Sequence, residues 1–497
     1  MLETILVYLP NNFIGFFLLL SAFILGLVLT FAIKKSEWII YGLLVWFPLE
    51  SLVLMYTPIR YFAYVKYIPE VIMYGLVVGA FIYFLKKKGR ILPRQPLNKW
   101  IIGFVIVGII SLVLNWYSTW IWALGMRHLL RFVFMLFVIL WMGYDKHVLK
   151  KILIFGAAMI SLEVFFGLIQ YLSGGYLDRF LFSSRAVTIG NAAILAGLDQ
   201  FWVQGSRVFA TMGRYDRLGS FVVIGLLMMF PFLFSIKREK EKILYFLMAF
   251  LGLIVLYLTQ SRASWIAAFM GFVTVGAILR RDKRVMAVMG LFVAIVVVYL
   301  VGFAIINTNV LSISDKPNQT LAERMFESFS FQGWRDSYDG YGRIFFIINT
   351  PRMVVSQHPF FGVGPGQYGG GVASALLHTD VYDRLHLPFG IQNIYGQIDN
   401  NWLSIWGEVG TLGLIMWIGF FVTIIKMSCH VRKNSDNSFE KLIAEGLVGL
   451  TVGMMAIGFF GPYYEFRSLM FYYWTIVGIV ALMWHHERNK GNILNAE

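Results

Sequence analysis

Only 14% of the 497 residues are charged, and a single cysteine, Cys429, is present. A chain of this size with so little charge cannot cover itself with the wet surface of a soluble enzyme. One cysteine excludes any internal disulfide framework. Internal repeats and low-complexity tracts are absent, which excludes solenoids and disordered arrays. Strict apolar-polar alternation is missing too, and with it the pattern of a membrane β-barrel. No Gly-Lys-Ser or Gly-Lys-Thr follows the glycine-rich GVGPGQYGGG at 362–371. That stretch is therefore not a nucleotide-phosphate loop, and it reads as a tight, mobile turn over a cleft.

What fills the chain is apolar: 58% of residues are hydrophobic, with a mean hydropathy of +0.70. Apolar segments of the roughly 17–25 residues that an α-helix needs to cross a bilayer recur throughout. They fall near 12–33, 38–54, 68–85, 100–115, 120–141, 152–172, 217–236, 243–258, 264–279, 285–306, 402–426, 442–460 and 467–484. The expectation is an all-α polytopic membrane protein of about thirteen spans, with twelve and fourteen as the bounds. Lys34/Lys35, Lys86–Lys88, Lys146/Lys150/Lys151, Lys237–Lys242, Arg280–Arg284, Arg432/Lys433 and Arg488/Lys490 fall on alternate connections. The positive-inside bias assigns that side to the cytoplasm, with the amino terminus out and the carboxyl terminus in. The first span, which lacks a basic flank and a small-residue cleavage site, reads as retained.

Net charge +15 follows from these clusters, which suit anionic lipid at the bilayer surface; nucleic acid is not an expected partner. The outward connections are unequal. Residues 1–306 carry ten spans with a moderate outward loop at 173–216, residues 307–401 form a large extracytoplasmic loop domain, and residues 402–497 carry three spans and a short cytoplasmic tail. The large loop is too aromatic for disorder, with Phe326, Phe329, Phe331, Trp334, Tyr338 and Tyr341 crowding its first half.

Basic residues sort by side. The outward positions hold only Lys66 and Lys316 but many arginines, among them Arg207, Arg214, Arg217, Arg262, Arg324, Arg335, Arg343, Arg352, Arg384 and Arg467. A guanidinium grips phosphate through a planar fork and keeps its charge when partly buried. Arg324, Arg335, Arg352 and Arg384 read as headgroup or helix-end residues. Arg262, caught in the short polar break Thr259-Gln260-Ser261, and Arg207, opening GSRVFATMGRYDRLGS, read as ligands of a lipid-linked phosphate or diphosphate. Arg214, Arg217 and Arg343 divide between the two readings. Glu163, Gln170 and Glu50 are candidate cavity-lining groups, and Tyr463, Tyr464, Glu465 and Arg467 read as an interfacial aromatic belt. The outward segments hold no Asp-x-Asp pair and no histidine cluster at metal-ligand spacing.

LYLTQSRASWIAAFMG at 256–271 resembles the Thr-x-Ser-Arg helix junction of the O-antigen ligase and Wzy-type polysaccharide polymerase superfamily. SRVFATMGRYDRLGSF at 206–221 resembles that family's Arg-x-x-Gly-x-Phe segment, with Ala210 in place of the glycine and Tyr215-Asp216 in place of Pro-Asn. HPFFGVGPG at 358–366 is similar to its His-Pro-(apolar)-x-Gly-x-Gly element. DNNWLSIWGEVG at 399–410 is similar to its His-Asn-x-Tyr-Leu-x(4)-Glu-x-Gly element, from Asn400 to Gly410, except that Asp399 stands where the ligases have histidine.

The resemblance implies a metal-independent glycosyltransferase without cofactors, acting at the outer face of the bacterial cytoplasmic membrane. It would polymerise polyprenyl-diphosphate-linked oligosaccharide repeat units of O-antigen, capsule or exopolysaccharide onto an acceptor glycan. A chain-length regulator is an implied partner beside the lipid bilayer. The alternative within the superfamily is ligase-type transfer of a finished glycan to a lipid or protein; a solute transporter is the distant alternative. Carried over residue by residue, Arg262 and Arg207 take the diphosphate charge and Asp399 acts as base, aided by His386 or Glu408. Arg214, Arg217, Arg343, Asn400 and Trp334 belong to substrate binding. His358 and His378 rank below Asp399 as bases. Against this stands a simpler reading, in which Asp399 merely caps the following span.

Overall fold

The computed structural model describes residues 13–88, 95–181, 187–189, 192–194, 207–235, 238–307, 310, 320–327 and 329–494. Much of the 173–216 connection, the beginning of the 307–401 segment, and Glu3, Lys237 and Lys316 lie outside the described residues.

The chain opens with α1 (Phe13–Phe31), α2 (Ser36–Tyr56), α3 (Ile59–Lys88) and α4 (Asn98–Asn115). Then come α5 (Thr119–Leu130) and α6 (Phe134–Met142), followed by α7 (Lys146–Leu172) and the single turn α8 (Asp178–Leu181). A small antiparallel ribbon, β1 (Val187–Ile189) with β2 (Ala192–Ile194), pairs Val187 with Ile194. After it stand α9 (Tyr215–Leu233), α10 (Glu239–Leu258), α11 (Arg262–Val273) with a π-helical continuation (Thr274–Leu279), and α12 (Lys283–Ile306). Five short helices follow: α13 (Leu321–Glu327), α14 (Phe331–Asp339), α15 (Arg343–Asn349), α16 (Gly371–Leu376) and α17 (Asp380–Arg384). The long α18 (Asn401–Asn434), α19 (Ser438–Ile457) and α20 (Arg467–Leu494) complete the bundle.

Among the described residues ten helices are long and apolar enough to cross a membrane, and the α5–α6 pair, bent by 60°, would make an eleventh. The protein is a multi-pass helical membrane protein, and its described residues show fewer such spans than the thirteen expected. All thirteen segments are helical, but two fail on different grounds. The described apolar part of α1 is short (Gly15–Phe31), and α19 carries Glu440, Lys441 and Glu445. The two glutamates face inward: Glu440 meets Lys146 at 2.7 Å and Glu445 meets Arg280 at 2.6 Å.

Hydropathy misleads about position, because lipid and protein interior are equally apolar. α12, the most apolar span, is almost wholly exposed, whereas the candidate span of α20 is 94% buried. α20 brings Phe471, Tyr472, Tyr473 and Trp474 into the core and packs against α2, α6, α9, α18 and α19. Chain direction alternates through the bundle, so the lysine-bearing connections share one end and the arginine-rich segments the other.

Among the described residues of the 307–401 segment no large separate domain is shown. Its short helices gather a small core around Phe346, Val354, Tyr368, Tyr382 and Ile398, which is completed by Leu403 of α18. The glycine-rich turn is buried rather than an exposed, mobile cover, and it is sewn into a break in α18. Gly410 leaves the helix with φ 67° and ψ −172°, a region open only to glycine. Around this break Val363 N donates to Gly407 O at 2.9 Å, Gly364 N to Glu408 O at 2.8 Å, and Thr411 N to Pro359 O at 2.9 Å. A Cβ on Gly410 would lie 2.4 Å from the carbonyl carbon of Phe360. Gly410→Ala should therefore lose about 1–3 kcal/mol from backbone strain alone, with the clash added. A clear drop in melting temperature of the purified protein checks this, and an unchanged one refutes it.

Candidate functional site

The arginine-rich end is organised from α7 upward. Gln170 accepts hydrogen bonds from Phe209 N (3.0 Å) and Ala210 N (2.8 Å), and Glu163 accepts from the Thr211 hydroxyl (2.5 Å) and N (3.2 Å). These two groups are spent on the chain opposite them. They hold the 207–211 backbone in place, satisfying amides that no helix satisfies. Val208 N donates to Leu258 O at 3.2 Å, which sets this strand of chain beside the end of α10.

So held, Arg207 is 7% exposed and stacks on the Tyr215 ring at 4.3 Å. Arg214, at the start of α9, forks onto Asp216 with Nε and Nη2 contacts of 3.0 and 2.8 Å. Asp216, and more weakly Asp399, raises the Arg214 pKa above its usual range. Arg217 turns away to Ser51 Oγ at 3.3 Å and over the Phe466 ring at 5.5 Å. No carboxylate pairs with it among the described residues.

Asp399 meets this group from the other side. Its Oδ2 accepts from Arg343 Nη2; Arg343 also donates to Asp399 O (3.2 Å) and to Phe460 O (2.8 Å). The cap of α18 is a different residue: Asn400 Oδ1 accepts from Leu403 N at 3.1 Å. Asp399 is thus relieved of capping, and its side chain stays 34% exposed. Its Oδ1 takes no hydrogen bond among the described residues and lies beside Gly461. Tyr463, 4% exposed, shares a hydrogen bond with Ser261 at the start of α11 and lies in the field of Asp216 and Asp399. Burial first, and Asp216 next, push its phenol well above the usual range, so it stays neutral.

Arg262 follows Ser261, yet its guanidinium closes on α13, both Nη atoms lying 3.4 Å from the Glu327 oxygens. The arrangement brings Arg207, Arg214, Arg217, Arg343 and Asp399 together and leaves Arg262 at the margin, one-third exposed. Glu408 lies elsewhere, buried under the glycine-rich turn, where its Oε1 accepts from Gly366 N at 3.0 Å. His386 is exposed on the turn after α17, and Trp334 is 52% exposed on α14; neither joins the Asp399 group.

The Tyr463–Arg467 turn is no interfacial belt. Tyr463 and Tyr464 are buried, and Arg467 pairs with Glu50 while donating to Lys66 O at 2.9 Å. Glu70 lies 3.8 Å from Arg467 and from Arg131, and accepts from Arg127 Nε at 2.8 Å. Glu465 binds His128 at 3.2 Å and Gly371 N at 3.1 Å, tying α16 to α5. Glu327, Glu70 and His128 are the neighbours that sequence reasoning missed, and Tyr215 and Tyr463 were named there without this place in the site. Charged Glu70, Arg127 and Arg131 inside apolar helices were a signal that could have exposed the second network.

Around Asp399 and Asp216, then, four guanidiniums (Arg207, Arg214, Arg217, Arg343) gather against these two carboxylates. This surplus can hold an anion beside a carboxylate oxygen free to accept a proton. Among the described residues no group of three or more His, Cys, Asp or Glu is placed to hold a metal ion.

Fold and site together define a polytopic membrane protein with an arginine-carboxylate centre at one end of its bundle. Residues 247–418 match the family model Wzy_C, described as O-antigen ligase, so the chain carries that family's domain over this stretch. The match includes Arg262, Arg343, Asp399 and the glycine-rich turn, and leaves Arg207, Arg214 and Arg217 before it. No curated protein matches the chain.

Proposed function

We propose that this protein is a membrane glycosyltransferase that polymerises polyprenyl-diphosphate-linked oligosaccharide repeat units on the extracytoplasmic face of a bacterial cytoplasmic membrane. The observation that carries the reading is the Asp399 carboxylate, with Oδ2 held by Arg343 and Oδ1 unengaged, set against the Arg207–Arg214–Arg217 cluster. A hydroxyl oxygen of the acceptor glycan attacks the anomeric carbon of the donor. The bond from that carbon to the phosphate oxygen breaks, and polyprenyl diphosphate leaves with the electron pair. The hydroxyl proton passes to Asp399 Oδ1. Arginines that face the diphosphate stabilise the charge that grows on it, and the neutral Tyr463 phenol adds a fixed dipole.

Arg217, with no carboxylate partner among the described residues, is a candidate diphosphate ligand that must swing from Ser51 and Phe466 to serve. Arg207, held 4.3 Å over the Tyr215 ring, adds a second guanidinium. Exposed rings of Phe329, Phe331 and Trp334 supply apolar faces for saccharide. The lysine-bearing connections at the opposite end support the extracytoplasmic reading.

The family description favours a second reading, ligase-type transfer of a finished glycan to a lipid or protein acceptor. A deletion strain separates the two. Single-repeat or short glycans on the acceptor are the outcome expected for a lost polymerase. Long chains stranded on the carrier lipid would identify a ligase, and an unchanged surface glycan would remove both.

A further inference from the structure

The end of the bundle opposite Asp399 holds a second polar cavity, of about 620 Å³, where the ends of α9, the π-helical continuation of α11, α18 and α19 meet. Two guanidiniums in its wall share one carboxylate. Arg280 Nε reaches Glu445 Oε2 at 2.6 Å, and Arg432 Nε reaches Glu445 Oε1 at 2.8 Å. Each is anchored again on backbone, Arg280 Nη2 on Pro231 O and Arg432 Nη2 on Leu279 O, both at 3.1 Å. The π-helical turn sets Arg280 in this position: its N donates to Val275 O, a bond one residue longer than α-helical geometry allows. Such preorganisation removes the entropy that two free arginines would lose on meeting an anion.

Lys242 and Arg284 complete the lining. Both are exposed, and the side chain of neither is bound to the fold among the described residues. Asp282 is occupied as the cap of α12, accepting from Arg284 N at 2.8 Å. Four cations therefore line the cavity against two carboxylates, each already engaged. Its wall also includes Phe234, which is 39% exposed and carries Arg280 5.0 Å above its ring. Apolar surface and fixed positive charge meet here at the helix ends, where hydrocarbon gives way to headgroups.

We propose that this cavity binds a phosphate group, namely that of an acidic phospholipid headgroup, with the acyl chains lying along the exposed apolar side of Phe234. Arg280 and Arg432 form the fixed rim; Lys242 and Arg284 close on the anion from the water side. The site is separate from the proposed transfer reaction and does not depend on it.

The test uses the purified full-length chain and the variant Lys242→Ala/Arg284→Ala, whose exposed side chains leave the packing untouched. Melting temperature is followed while phosphatidylglycerol, phosphatidylcholine or inorganic phosphate is added. Phosphatidylglycerol should raise the melting temperature of the natural chain, with phosphatidylcholine inert, and the variant should need about tenfold more of it. Equal responses of the two proteins, or stabilisation by phosphatidylcholine to the same extent, would overturn the site. Stabilisation by inorganic phosphate with no effect of phosphatidylglycerol would overturn the lipid assignment.

Discussion

Asp399→Asn should bind donor as the natural protein does while transferring glycan about 10²–10⁴-fold more slowly, the range that general-base groups supply. The geometry makes the substitution selective. Arg343 engages Oδ2 and the backbone carbonyl of residue 399, and asparagine still offers one oxygen to that guanidinium. The amide nitrogen then occupies the place of Oδ1, and a nitrogen that donates cannot take a proton from the sugar hydroxyl. Capping offers no rival explanation, since Asn400 performs it. Measured with purified enzyme and lipid-linked repeat units, donor binding being checked separately, near-normal chain formation by the asparagine variant would eliminate the base. Asp399→His then becomes informative, because it installs the residue that the resembling ligases carry.

Arg262 yields the second large effect and a sharper choice. Its fork spans both oxygens of Glu327 at 3.4 Å, a separation long for a charge-assisted pair, and a donor diphosphate could displace the carboxylate. If Arg262 is a diphosphate ligand, Arg262→Ala and Arg262→Lys should both lower transfer by about 10²-fold or more, since an ammonium lacks the fork. Glu327→Gln should then leave transfer near normal, because phosphate still finds the guanidinium. A pure clamp joining α11 to α13 predicts the reverse, with Glu327→Gln as damaging as Arg262→Ala. Transfer rates of the three variants at equal protein level decide between them; full activity in the lysine variant excludes the ligand role.

The spans were legible because bilayer thickness imposes a length that composition reveals. Position within the bundle was hidden: α12 and α20 both read as apolar helices, and nothing in hydropathy tells lipid from packed protein. The candidate arginines were legible by type, since fixed charge beside apolar runs demands a reason. Their partners were not. Arg343 and Asp399 are 56 residues apart, and Arg467 finds Glu50 across 417. Such pairings depend on which helices become neighbours, a property of the assembled bundle. The bend between α5 and α6 escaped notice because no proline or glycine marks it. The glycine-rich turn reads in the sequence as a mobile turn over a cleft because its anchor, the break at Gly410, lies far downstream.

The placement of α20 bears on how the molecule is made. It follows in the chain every helix that it touches, yet it is the axis around which they gather. Spans inserted earlier must therefore wait side by side in the bilayer, their inner faces covered only by lipid or by each other, until this helix leaves the ribosome. Assembly of the core is then gated by the arrival of α20, and the second network, in which Arg467 meets Glu50 and Glu70, comes into being only with it. A chain halted before Arg467 would hold every residue of the Asp399 group and still lack the helix against which its spans pack.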